Sequence, residues 1–150
     1  MLEMTEYETD RLLDQSLIGR LSMADAQGRP YTIPLPFCWN DGSIYLRLSL
    51  TGRKGEVLSE NDRVCFEVDE FSDSLDAYAS VLIEGRLVEV TDLDEKAQVK
   101  SLNDEKYTRL RGGHRPGHGR STPLEHLPMR RIAVEQITGR KRACAAMPVG

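Results

Sequence analysis

The sequence predicts a mainly β protein of α+β type, with six antiparallel strands forming a small barrel and helices on its flanks. Three observations carry this. Short stretches in which apolar and polar residues alternate follow one another through the first 90 residues and return once near the end. Glycine, proline and asparagine turn signals separate them. The regular alternation of strand and helix that builds a doubly wound sheet is missing. Length and composition fit a single domain over residues 1–150, with a core of about residues 8–142 and a loose tail over 143–150. The chain is 39% hydrophobic, 29% charged and 6% aromatic, the values of an ordinary globular protein.

The first element is a short helix over residues 9–15, with Thr9 as N-cap, an acidic first turn and the paired leucines Leu12 and Leu13. A strand follows at 18–24, and Asp25 to Arg29 connect it to a second strand at 30–37. There Tyr31, Ile33, Leu35 and Phe37 alternate with Thr32, Pro34 and Pro36. Proline cannot donate to a sheet ladder, so Pro34 and Pro36 predict an edge, a bulge or a face against which something other than a strand lies. Asn40-Asp41-Gly42 is a turn signal. Beyond it, residues 44–50 put Ile44, Leu46, Leu48 and Leu50 on one face and Tyr45, Arg47 and Ser49 on the other.

Residues 51–60 read as a loop opening into a short helix that Asn61-Asp62 ends. Strands are expected at 63–70 and 78–90, the second long enough to bend at Gly85, with a polar acidic segment between them. Asp92-Leu93-Asp94-Glu95 starts a helix that runs to about Leu110, with Leu93, Ala97, Val99 and Leu102 as a partial apolar face. Residues 112–128 form a loop rich in Gly, His, Arg and Pro, ahead of a last strand near 129–137. A turn at Thr138-Gly139 then leads into the tail.

Charge is divided unevenly. Residues 1–105 carry 10 Lys and Arg against 22 Asp and Glu, and residues 106–150 carry 10 against 2, so a part of charge −12 precedes one of +8. The basic part reads either as solvated surface or counterweight to the acidic part, or as a site for an anion. Its only aromatic residue is Tyr107, so the stacking platforms of a nucleic-acid binder are missing, and no nucleic-acid partner is expected. No apolar run approaches the roughly 20 residues that span a bilayer, so no membrane partner is expected. The acidic N-terminal stretch lacks the basic and apolar regions of a signal peptide, and the expected location is the cytoplasm.

Cys38, Cys65 and Cys144 are odd in number and irregularly spaced, which predicts reduced thiols, with Cys65 a buried structural one between Val64 and Phe66. His114, His118 and His126 lie in the glycine-rich loop with only Glu125 as a further ligand nearby, so a ligand-covering loop is favoured over a metal site and no metal is expected. Nothing resembles a nucleophile elbow or a catalytic cysteine signature.

One cluster does suggest chemistry. Thr51, Gly52, Arg53 and Lys54 combine a hydroxyl, a glycine that lets backbone come close and two cations at a helix start, which suits a phosphate. Taken alone, such a cluster also reads as solvated surface. Arg47, on the strand before it, either faces solvent or sets its guanidinium beside a planar or anionic group.

Several stretches, read together and in order, carry a resemblance. They are Ile18 to Ser22, Gly28 to Phe37, Ser43 to Arg47 leading to Gly52-Arg53-Lys54, Val64 to Val68, Tyr78 to Val81 with Gly85-Arg86, and Arg131 to Lys141. This pattern, over about residues 8–142, resembles the pyridoxamine 5'-phosphate oxidase-like FMN-binding split-barrel superfamily, in particular the branch that includes nitroimidazole-resistance proteins.

The resemblance implies a homodimer of split barrels that holds two FMN molecules at its interface. Arg53 and Lys54 would grip the FMN phosphate, with Ser49 and Gly52 in the same cofactor-binding stretch. The backbone of Tyr31, Thr32, Ile33 and Pro34 would lie along the flavin ring, and Tyr78, Ser80 and Val81 would approach from the second subunit. Many relatives carry a histidine where this chain has Arg47. Arginine stays charged and cannot act as a neutral imidazole, yet it suits an anionic reduced flavin or an acidic substrate, so Arg47 is the candidate catalytic residue.

The implied function is an FMN-dependent oxidoreductase acting on an unidentified small molecule, with nitro-compound reduction one candidate. A non-catalytic flavin- or haem-binding carrier or sensor is the alternative, with His114, His118 and His126 as haem ligands, and a deazaflavin could replace FMN. Vitamin B6 oxidation in the strict sense is not expected, since that enzyme's substrate-binding residues find no match here.

Overall fold

A computed structural model describes residues 1–112 and 122–142. Eight strands make one antiparallel sheet: β1 (Leu2–Glu3), β2 (Ile18–Ala24), β3 (Pro30–Pro36), β4 (Cys38–Asn40), β5 (Ser43–Arg47), β6 (Arg63–Phe71), β7 (Tyr78–Glu89) and β8 (Met129–Lys141). Three helices, α1 (Glu6–Gln15), α2 (Gly52–Glu60) and α3 (Leu93–Leu110), and a 3-10 turn at Leu124–His126 complete the described residues. The spatial order is β3-β2-β6-β7-β8-β5-β4, with β1 on β8. The two ends of this sheet, β3 and β4, are neighbours in the chain with only buried Phe37 between them, so the sheet curls into an antiparallel half-barrel. No helix among the described residues is long and apolar enough to cross a membrane.

All six expected strands are present, and the structure adds two. β4 continues the second strand beyond Phe37, whose ring packs edge-on against Phe66 at 5.1 Å inside the barrel. β1 pairs with the end of β8, so β8 runs on to Lys141 where a turn at Thr138-Gly139 is expected from the sequence. The glycine there serves packing rather than a turn: a Cβ on Gly139 would lie 3.0 Å from both Met4 Cβ and Thr9 Oγ1. At the bend expected in β7 the irregularity is a bulge in its partner, since the ladder shifts between Glu84 and Gly85 and leaves Glu135 of β8 as the extra residue.

Helix α1 begins earlier than expected. Thr5, not Thr9, is its N-cap: Thr5 Oγ1 accepts from the Glu8 N–H at 3.1 Å, and Glu8 Oε1 accepts from the Thr5 N–H at 2.9 Å. This reciprocal capping box satisfies two donors at once and leaves Thr9 inside the helix, where it is buried. Lys141 adds an ion pair to Glu8 at 2.5 Å, and this bond, more than the capping bonds, lowers the Glu8 carboxyl to about 2.

The inward face of α3 is also different. Leu93 and Ala97 are exposed, while Lys96, Val99, Lys106 and Tyr107 are buried. Backbone carbonyls from distant segments satisfy the two lysines. Lys96 Nζ donates to the Leu124 and Leu127 carbonyls, both at 3.0 Å, and Lys106 Nζ donates to those of Leu13 and Phe37 at 3.2 and 3.0 Å. Beside it, the Tyr107 hydroxyl donates to the Leu17 carbonyl at 2.5 Å and accepts from the Phe37 N–H at 3.1 Å. Helix α3 therefore clamps the junction where β3 becomes β4.

Tyr45 falls on the face expected for it, opposite Ile44 and Leu46, whereas the expectation that Cys65 is buried needs correction. Tyr45 is buried there because α3 covers that side and Glu95 accepts from its hydroxyl at 2.6 Å. Desolvation, followed by that bond, pushes the phenol up to about 12. Cys65 is only half-buried, since it sits on the outer face of β6 while Val64 and Phe66 point into the core. Cys38 is buried and free, and Cys144 lies outside the described residues.

Candidate functional site

The site is built on the loop between β5 and α2. Strand β5 ends at Arg47, three residues before the expected boundary, because Leu48 leaves the ladder. Its N–H donates to the Pro128 carbonyl at 3.1 Å, its side chain is buried, and its carbonyl accepts from Arg130 Nη1 at 2.6 Å. Ser49, Leu50 and Thr51 follow, all exposed. Helix α2 then begins at Gly52, whose φ of +65° belongs to the left-handed region that favours glycine. Buried Val57 and Leu58 seat the helix on the core.

The first turn of α2 is electrostatically unusual. Thr51 is the N-cap, yet its side chain makes no capping bond, and the turn holds no acidic residue. Arg53 and Lys54 occupy it instead, at the helix end where the macrodipole disfavours cations and attracts anions. Neither they nor Arg47 pairs with a carboxylate among the described residues. Loop and helix are pressed together, since a Cβ on Gly55 would stand 2.5 Å from the Leu50 carbonyl oxygen. The donor set, uncapped N–H groups with two cations and no competing carboxylate, fits a phosphate.

Strand β3 supplies the neighbouring wall. It pairs with β2 through Ile18↔Pro36 to Ala24↔Pro30 and is the end of the sheet, which agrees with the edge that Pro34 and Pro36 predict. The Arg53 guanidinium carbon lies 5.1 Å from the centre of the Tyr31 ring, so the cation of α2 meets the first aromatic residue of β3. Ile33 is half-buried, and Thr32 and Pro34 are exposed on the outer face. The structure thus brings Tyr31 and Arg53 together and places Gly52 and Lys54 beside them in one turn, with Arg47 and Ser49 exposed on the approach to it.

It does not bring the β7 residues there within one chain. Strands β2 and β6 lie between β3 and β7. Tyr78 and Ser80 are half-buried, Tyr78 with its hydroxyl 3.4 Å from Met1 Sδ and its ring 5.8 Å from the Arg142 guanidinium carbon, and Val81 is fully buried in the core. Of the three histidines, His126 is exposed on the 3-10 turn, while His114 and His118 lie outside the described residues. No group of three His, Cys, Asp or Glu among the described residues could hold a metal ion.

Sequence reasoning missed Arg130, counting it only as part of the basic segment. Its signal was positional: it is the second residue of the last strand and falls opposite Leu46 of β5, next to the point where that strand ends.

An antiparallel half-barrel whose edge strand lies beside a helix start free of acidic residues is a split barrel. The chain belongs to the pyridoxamine 5'-phosphate oxidase family, whose model matches residues 5–141. A candidate 5-nitroimidazole antibiotic resistance protein from Bacteroides thetaiotaomicron VPI-5482 is 21% identical, with a TM-score of 0.72 over 94% of this chain and 86% of that one. An FAD-binding protein from Mesorhizobium loti is 28% identical, with a TM-score of 0.67 over 93% of this chain and 96% of that one. The haem storage protein HutZ from Vibrio cholerae is 22% identical, with a TM-score of 0.64 over 88% of this chain and 92% of that one. No curated protein sequence matches the chain.

Proposed function

We propose that this chain is an FMN-dependent oxidoreductase that works as a homodimer, with the flavin at the subunit interface. The observation that carries the reading is the first turn of α2, which is uncapped, free of acids and loaded with Arg53 and Lys54. An isolated helix gains nothing from two cations at its positive end, and a bound phosphate reverses that sign. The 28% identity to an FAD-binding protein supports a flavin nucleotide.

Arg53 and Lys54 hold the phosphate, and the backbone of Tyr31 to Pro34 lies along the ring. The bound ring supplies hydride or electron transfer between a nicotinamide donor and a small-molecule acceptor. Arg47 contributes a fixed positive charge that favours an anionic reduced ring or an acidic acceptor. Tyr78 and Ser80 reach the ring from a second copy, since β2 and β6 separate them from β3 in their own chain. Val81 holds that strand from the core side.

The test is titration of the purified protein with FMN, followed by visible absorbance and melting temperature, with a light-scattering mass. Saturable binding by a dimer supports the reading, and NAD(P)H oxidation with a nitroaromatic acceptor would add the activity. No FMN-dependent change in spectrum or melting temperature overturns it. A Soret band with haemin, or tight binding of a deazaflavin, in the absence of FMN binding replaces the cofactor.

A further inference from the structure

We infer that Arg130 is a positioning residue for the phosphate turn of α2; this rests on the flavin reading above. Arg130 stands on β8, paired with Leu46 of β5 on one side and Glu89 of β7 on the other. Its guanidinium extends past the last residue of β5 and donates to the Leu48 carbonyl at 2.6 Å. It makes no ion pair with Glu89 or any other carboxylate among the described residues.

Leu48 is where the chain leaves the sheet, and both faces of its backbone are fixed: the N–H by the Pro128 carbonyl, the C=O by Arg130. The far end of the same loop is fixed by contact, with Gly55 against the Leu50 carbonyl. Between these anchors lie Ser49, Thr51, Gly52, Arg53 and Lys54. All of them are exposed except half-buried Lys54, so little else holds the turn in place. Arg130 thus sets the direction in which the uncapped N–H groups and the two cations point. Without its bond the turn must be ordered by the ligand, and that ordering is subtracted from binding.

Because the effect acts through the phosphate turn, it falls on the phosphate and not on the ring. Riboflavin, which has the ring and no phosphate, is the internal control. Arg130→Met keeps the aliphatic stem and loses the bond, and is expected to weaken FMN about tenfold while riboflavin binding stays unchanged. Arg130→Lys is expected to recover most of the loss, and Arg130→Leu, which also removes the donor, covers the case in which the methionine variant does not fold. Unchanged FMN affinity in the methionine or leucine variant, or an equal fall for FMN and riboflavin, overturns the inference. A wild-type protein that binds neither flavin overturns the flavin reading, and the inference with it.

Discussion

Lys106 Nζ donates to the Phe37 carbonyl at 3.0 Å and lies 3.7 Å from the centre of the ring of that same residue. One ammonium group thus meets both the backbone dipole and the π face of the residue at the β3–β4 junction. The bonds keep a charge buried at 3% exposure, and burial still lowers its pKa from 10.5 to about 8.

This makes alkaline stability testable. Below about pH 8 the lysine is charged in both folded and unfolded chains, and folding bears the cost of burying it. Between about pH 8 and 10.5 the unfolded chain binds a proton that the folded chain has lost, so this group makes stability rise with pH. Against Lys106→Met, the wild-type unfolding free energy should gain up to about 1.4 kcal/mol per pH unit across that window. Urea melts at several pH values measure the difference, and a flat difference refutes the account.

The N-terminal capping box predicts a response at the other end of the scale. Glu8 is held at about 2 in the folded chain against 4.5 for a free glutamate, chiefly by Lys141. Its contribution is complete above pH 4.5 and disappears as pH falls toward 2. Glu8→Gln should therefore lose stability at pH 7 and converge with the wild type at the acid end. Thr5→Ala, which removes the other half of the box, should cost about 1 kcal/mol by denaturant unfolding.

Gly52 separates backbone strain from crowding. Nothing lies within 4 Å of a Cβ built there, so Gly52→Ala meets only the penalty of its φ of +65°. That penalty is roughly 1–2 kcal/mol. Thermal unfolding should show it without ligand, and FMN affinity should fall as well if the turn relaxes toward ordinary helical φ.

The two cations of that turn are expected to act on the phosphate alone. Lys54→Ala should weaken FMN by about 1–3 kcal/mol, the scale of a lost charge-assisted bond, and leave riboflavin untouched. Arg53→Ala should do the same and also release the Tyr31 ring, which the NMR signals of that ring can follow. Unchanged FMN affinity would remove either residue from the site.

What could be read in advance was whatever depends on near neighbours in the chain. The alternation of Val64, Phe66 and Val68, the turn at Asp41-Gly42 and the edge signalled by Pro34 and Pro36 are local facts, and each is found where expected. The same holds for the Gly52-Arg53-Lys54 turn, because a helix start and its charges are adjacent in sequence. What escaped depends on partners far along the chain. Lys106 is tolerable in a core only because the carbonyls of Leu13 and Phe37, 93 and 69 residues away, converge on it. Arg130 looks like one more surface cation until Leu48, 82 positions earlier, is placed beneath it. The Thr5 cap is an exception, since its Thr-x-x-Glu pattern with Glu8 is local, and only the reinforcing Lys141 is far away, at 133 residues.

The open edge of β3 has a further consequence. Successive residues of a strand turn their N–H groups to alternate edges, and Pro30, Pro34 and Pro36 are separated by even numbers of residues. Their missing donors therefore belong to one edge, and the unbroken pairing with β2 places that edge on the outside. Thr32 keeps the single N–H along it, among carbonyls that can only accept. Such an edge is a poor template for a strand from another molecule, which protects the chain from fibrous self-association at the point where its sheet would otherwise be most vulnerable.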